Sequence, residues 1–206
     1  MQPSVAVILG SAFFAEDANL VPTVLQTPFG PWTLFRRSLS SRGWISFRHG
    51  LPHRYLPHQV PWRAQAYALQ QVGCKALLVT SSVGVLDPAL PLFEPLLLSD
   101  LIMMDGRLGD GTACTIWPEP WEGQGHLVWD EGPFSPALRD QVTALAAGLG
   151  TPVAGEAVHG WQLGPRLKTA AEHVAWRRLG AQVNSMSLAP EVVLANELEI
   201  PCVGLA

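Results

Sequence analysis

With 206 residues, 48% of them apolar, the chain is long enough for one domain with a substantial core, and it is neither a repeat nor a disordered chain. A net charge of −4 with no evident basic face excludes a general nucleic-acid binder, and no apolar run reaches membrane-spanning length. Only 15% of residues are charged while eight are Trp and 18 are Pro, a balance that points to apolar surface covered by a partner subunit. The three Cys (Cys74, Cys114, Cys202) are odd in number and lack metal-ligand spacing, so reduced thiols and a cytoplasmic setting are expected. The first residues run straight into a strand pattern, with no visible export signal.

In chain order, residues 5–9 predict a buried strand that ends in Gly10-Ser11-Ala12. Small residues at such an end leave backbone N–H groups free for a ligand, and Ser11 adds a hydroxyl; an ordinary turn uses the same residues. Residues 43–47 predict a second strand. Residues 48–60 follow, holding Arg48, His49, His53, Arg54 and His58, so three of the six His lie in one short stretch. Arg offers a planar fork of donors, His a donor whose charge can follow an anion, and Gly50 a close backbone approach. That set suits a doubly charged anion, although a solvated basic loop has the same composition.

A helix is predicted from near His58, with Val60, Ala64, Tyr67, Ala68 and Val72 at helical spacing, Pro61 in the first turn and Gly73 as C-cap. Residues 75–79 predict a fully buried strand that empties into Thr80-Ser81-Ser82-Val83-Gly84. Two strand-to-small-residue junctions beside an Arg/His loop make an anion cradle at the C-terminal edge of a sheet.

A strand at 96–104 leads into a Gly-, Pro- and Trp-rich loop at 105–125, either a lid or an interface. The helix at 136–149 should bury Leu138, Val142, Leu145 and Leu149 on one face, with Gly150 as its stop. A strand at 153–158 precedes a helix at 169–179, where Thr169 and Glu172 form a capping box. A strand at 182–186, a helix at 190–199 with Pro190 and Glu191 in its first turn, and a strand at 201–206 complete the pattern. This alternation is that of a single layered α/β domain.

Three quoted runs carry a family resemblance: Arg48-His49-Gly50-Leu51-Pro52-His53 with Pro57-His58-Gln59-Val60 and Arg63-Ala64; Gly164-Pro165-Arg166-Leu167-Lys168-Thr169-Ala170-Ala171-Glu172; and Asn184-Ser185-Met186-Ser187-Leu188-Ala189-Pro190-Glu191. Together they resemble the methylthioadenosine/purine nucleoside phosphorylase family, above all its methylthioinosine phosphorylase branch. The resemblance implies a twisted mixed β-sheet flanked by helices, and phosphorolysis of the N-glycosidic bond of 5′-methylthioinosine or 5′-methylthioadenosine. Phosphate would be the co-substrate, with no other cofactor and no metal.

By the same resemblance, phosphate falls to Ser11, Arg48, His49, Ser81, Ser82 and Ser187. The ribose and its 5′ substituent fall to His53, Met186 and, from a neighbouring subunit, His126. The base falls to Val83, Gly84, Leu167 and Lys168. A homotrimer or higher homo-oligomer is implied. The sequence departs from the family pattern at Ala12, Pro61, Trp62, Gln65 and Lys168, the last a charge reversal that bears on base recognition. Residues 1–206 are expected to form one such domain without the family's C-terminal base-binding segment and last helices. A nucleosidase that uses water, and a divergent member that binds without much turnover, are the alternatives on the same fold.

Overall fold

A computed structural model describes residues 3–12, 19–38 and 41–206. Strands β1 (Ser4–Leu9), β4 (Gly43–Phe47), β5 (Cys74–Thr80) and β10 (Cys202–Leu205) are parallel neighbours in the order β4-β1-β5-β10. Their inward residues, Ile8, Leu77, Val79 and Cys202 among them, are fully buried. The opposite face is half-open, with Val5 55% exposed, so β1 and β5 are not the doubly covered strands their apolar runs predict.

Before β4 comes a hairpin that sequence periodicity did not reveal, β2 (Val21–Thr27) and β3 (Gly30–Arg36), turned at Pro28-Phe29. Thr27 Oγ1 accepts from the Phe29 N–H at 3.1 Å and donates to the Gly30 carbonyl, which locks the turn, while Gly30 supplies φ +100°. β2 forms one edge of the sheet, where Pro22 is tolerated. Ser46 Oγ, buried in β4, accepts from Trp32 Nε1 and Gln65 Nε2, each at 3.0 Å, and so ties hairpin, sheet and first helix together.

On the other side of the sheet run β7 (Leu96–Ile102), β8 (Gly155–Trp161) and β9 (Val183–Ser185), parallel to one another; β7 is antiparallel to β10. The two-residue β6 (Gly84–Val85) pairs with β9 at the far edge, giving the order β2-β3-β4-β1-β5-β10-β7-β8-β9-β6. Four residues of chain from Thr80 to Gly84 span at most about 14 Å, whereas the five strand spacings from β5 to β6 would span about 24 Å in a flat sheet. The sheet therefore curls, and the curl brings the end of β9 to the end of β5.

Helix α1 (Trp62–Gln71) starts four residues later than the spacing predicts, because Pro57–Gln59 forms a separate 3₁₀ turn and Pro61 is the N-cap. Gly73, at φ +69°, ends it as expected. Helix α1 packs on β3 and on α4 (Ala189–Glu197). Helix α2 (Pro136–Gly148) corrects an expectation: Leu145 is 66% exposed and Leu149 82%. Leu138, Val142 and Leu145 instead face an apolar groove of about 420 Å³ opposite Val5, Val7 and Leu78. Helix α3 (Ala170–Arg178) carries the predicted capping box: Thr169 Oγ1 accepts from the Glu172 N–H at 3.2 Å and Glu172 accepts from the Thr169 N–H at 2.7 Å. Among the described residues, no helix is long and apolar enough to cross a membrane.

Candidate active site

Where the ends of β1, β4, β5 and β9 meet, a cavity of about 440 Å³ opens, within the range of small-molecule sites. Its lining includes Ser11, Arg48, His49, Ser81, Ser82 and Ser187. Leu167, Lys168, Met186 and Gly84 line it as well.

Arg48 is the most constrained of these groups. It is 1% exposed, and its Nε and Nη2 donate to the two oxygens of Glu191, at 2.8 and 2.7 Å, in a fork-to-carboxylate pair. Nη2 also donates to the Thr80 carbonyl at 2.8 Å. Glu191, 3% exposed, sits in the first turn of α4 and accepts the Leu188 N–H at 3.0 Å. That third bond steadies Leu188 at φ +77°, a strained value for a residue with a Cβ, and places Ser187 against the cavity. The remaining nitrogen, Nη1, lies beside Gly10, where any Cβ would come within 2.8 Å of it. Gly10 is thus required by the arginine, not only by a turn.

His49 Nδ1 faces the Tyr55 carbonyl at 2.8 Å, so Nδ1 carries the proton and donates. Burial, reinforced by the Arg48 and His53 charges, pushes the His49 pKa down to about 4 against the pull of that hydrogen bond. At neutral pH its other nitrogen, Nε2, is therefore an acceptor, not the donor expected from residue type.

The hydroxyls form a cluster. Ser81 Oγ lies 3.0 Å from Ser187 Oγ and 3.3 Å from Ser185 Oγ, and Ser185 Oγ accepts the Ser187 N–H at 3.2 Å. Lys168, also in the lining, is half-buried with its pKa lowered by desolvation, which Glu172 partly offsets; its Nζ stands 5.8 Å from the Trp176 ring centroid. Gly164 allows the Met186 sulfur to approach, since a Cβ there would lie 2.9 Å from it. Among the described residues no Asp or Glu lines the cavity, and none form a cluster of three or more His, Cys, Asp or Glu that could hold a metal ion.

The sequence model of the Phosphorylase superfamily matches residues 4–206. The chain belongs to this superfamily. It is 35% identical over 159 residues to a probable S-methyl-5′-thioinosine phosphorylase of Pseudomonas syringae pv. tomato, covering 77% of this chain and 63% of that relative's length. It is 30% identical over 210 residues to the S-methyl-5′-thioadenosine phosphorylase of Thermofilum pendens, covering 98% of this chain and 76% of the relative. A 6-oxopurine nucleoside phosphorylase of Pyrococcus furiosus is 29% identical over 205 residues, 96% of this chain and 76% of the relative. Among solved structures, the methylthioadenosine phosphorylase of Schistosoma mansoni in complex with tubercidin superposes with a TM-score of 0.86 at 25% identity, covering 100% of this chain and 80% of that one.

Of the residues singled out in this phosphorylase superfamily member, Ser11, Arg48, His49, Ser81, Ser82, Gly84, Leu167, Lys168, Met186 and Ser187 line one cavity. Three others do not line it. His53 lies behind His49, ring centroids 4.7 Å apart; Val83 packs half-buried against the core; His126 is exposed in the loop before α2. The departures at Pro61, Trp62 and Gln65 lie in and before α1, away from the cavity. Sequence reasoning missed Asn184, Ser185 and His173. Asn184 and Ser185 sit inside a quoted motif but were passed over for Met186 and Ser187, while His173 has no local signal.

Proposed function

We propose that the protein cleaves a purine nucleoside by phosphorolysis, with 5′-methylthioinosine or 5′-methylthioadenosine as substrate and free purine and methylthioribose 1-phosphate as products. The observation that carries this reading is the single cavity that gathers a buried Arg, a neutral His and a hydroxyl cluster together with Met186, Leu167 and Lys168. In this reading phosphate sits between the Ser81 and Ser187 hydroxyls, the Ser11 turn and Arg48 Nη1. A hydrogen phosphate dianion carries one O–H, which His49 Nε2 accepts in this reading, leaving the other oxygens to the donors.

A phosphate oxygen then forms a bond to C1′ as the C1′–N bond breaks and its electron pair passes to the base, through a sugar of oxocarbenium character. The base takes up a proton to leave as free purine, balanced by the proton that the phosphate O–H gives up. The protein positions the anion and stabilises charge, with no protein nucleophile. Met186 and Leu167, 81% exposed at the cavity mouth, suit an apolar 5′ substituent or base face.

Lys168 favours a 6-oxo purine. Its ammonium has only donors, which match a carbonyl and face a 6-amino group unfavourably. Phosphate is the co-substrate, with no other cofactor. A homotrimer or higher homo-oligomer in which His126 meets a neighbour's site, and a cytoplasmic location, complete the reading; light scattering reads the assembly state. The functional test is release of hypoxanthine from methylthioinosine with and without phosphate. Release that depends on phosphate supports phosphorolysis, and equal release without it turns the reading to a nucleosidase.

A further inference from the structure

His159 has no place in the chemistry described so far, yet it is a fully buried imidazole directly behind the cavity wall. It lies on β8, between Leu101 of β7 and Val183 of β9, at 0% exposure. Its Nε2 lies 2.9 Å from Ser185 Oγ, and its Nδ1 meets no hydrogen-bond partner among the described residues. An apolar side chain would fill the same space without stranding a nitrogen. The one thing an imidazole adds here is its contact with Ser185, which itself lines the cavity.

We propose that His159 is a positioning residue which, through Ser185, keeps the hydroxyl protons of Ser81 and Ser187 directed to the anion in the cavity. The proposal rests on the phosphate reading of that cavity and adds a residue to it.

Burial, with the Lys168 and Arg48 charges adding, holds His159 neutral, its pKa pushed down to about 3. A neutral ring has one N–H. A buried N–H without an acceptor is rarer than an acceptor left unused, so the proton belongs on Nε2, which donates to Ser185 Oγ. Ser185 Oγ also accepts the Ser187 N–H at 3.2 Å, so both its lone pairs are filled. Its own proton points to the Ser187 carbonyl at 3.1 Å.

With both lone pairs engaged, Ser185 accepts only weakly from Ser81, whose hydroxyl stands in donor geometry 3.3 Å away. The Ser187 proton is left to Ser81 or to a ligand, and the Ser81 proton to Ser187, to a ligand or to the Ser82 carbonyl at 3.2 Å. Without the His159 donor a lone pair on Ser185 reopens, and it draws the Ser81 proton away from the anion.

The test measures phosphate binding by calorimetry, and KM for phosphate and for nucleoside, on the full chain and on His159→Phe, His159→Gln and Ser185→Ala. His159→Phe is expected to weaken phosphate about tenfold, the scale of one hydrogen bond to a charged group, and to leave the nucleoside KM unchanged. His159→Gln restores most of the loss, because its terminal amide N–H stands in for Nε2–H. A loss in both KM values with no recovery in Gln assigns His159 to packing and overturns the proposal, as does unchanged phosphate binding in His159→Phe. If His159→Phe does not fold, nitrogen NMR of the labelled wild type decides: Nε2 protonated supports the proposal, Nδ1 protonated ends it. Wild-type protein that binds no phosphate removes the underlying reading instead, which separates the two failures.

Discussion

Replacing Arg48 with Met separates two roles that one side chain carries. The substitution removes two charge-assisted bonds from Glu191 and leaves that carboxylate, 3% exposed, buried with only the Leu188 N–H. Breaking a buried ion pair from one side costs on the order of 3–5 kcal/mol. In a protein of this size that lowers Tm by roughly 6–20 °C. Such a loss is a large share of a typical domain's whole stability, so Arg48 serves the fold as well as the cavity. The double variant Arg48→Met, Glu191→Gln removes the stranded charge, while the Gln oxygen still accepts from Leu188. Most of the stability should return. Phosphate affinity should not, because Nη1 is gone in both variants, and a charge-assisted contact is worth about ten- to a hundredfold. Differential scanning calorimetry and phosphate titration on wild type, single and double variants read the two effects apart. A single variant as stable as wild type refutes the buried pair. A double variant that binds phosphate as wild type does removes Arg48 from the anion site.

Ser187→Ala should raise the phosphate KM about tenfold or more and leave the thermal midpoint within a few degrees, since the hydroxyl's role is on the cavity side; steady-state kinetics checks it. Lys168→Glu should reverse the preference for a 6-oxo over a 6-amino nucleoside, read as the ratio of kcat/KM for methylthioinosine and methylthioadenosine; faster methylthioadenosine turnover by the wild type contradicts the role given to Lys168. His49 and His159 are held neutral in the fold, at about 4 and about 3 against 6.5 for a free imidazole. The unfolded chain thus binds more protons as pH falls, so their contribution is full above pH 6.5 and is lost progressively towards pH 4. The urea midpoint should drop between pH 7 and 5, less so in His159→Gln, and a flat midpoint over that window contradicts the burial of these rings.

Much of this organisation was legible in local sequence because it rests on local chemistry. Apolar runs ending in Gly10-Ser11 and Thr80-Ser81-Ser82 marked the strand ends that wall the cavity, and Thr169 with Glu172 marked a helix start by hydrogen bonds three residues apart. What escaped depends on distance or on one-sided burial. The Arg48–Glu191 pair joins residues 143 positions apart, and no spacing rule announces it. Ser81 meets Ser187 only because the sheet curls. The β2–β3 hairpin has half-buried alternation and two prolines, Pro22 and Pro31, which dilute the strand signal. The periodic leucines of α2 read as a core face, yet periodicity reports an apolar stripe without saying what covers it. His49 was identified by residue type, but its role as acceptor follows from the Tyr55 carbonyl, which composition does not show.

In the proposed reaction phosphate, held by Arg48, His49 and the serine hydroxyls, is the nucleophile. Identification of the sugar product by phosphorus NMR after turnover of methylthioinosine in phosphate buffer tests it most directly. The expected result is a resonance for a sugar 1-phosphate that grows in step with free hypoxanthine and is lost with hypoxanthine release in the Arg48→Met, Glu191→Gln variant. Hypoxanthine released with free methylthioribose, and no phosphate ester formed, contradicts it.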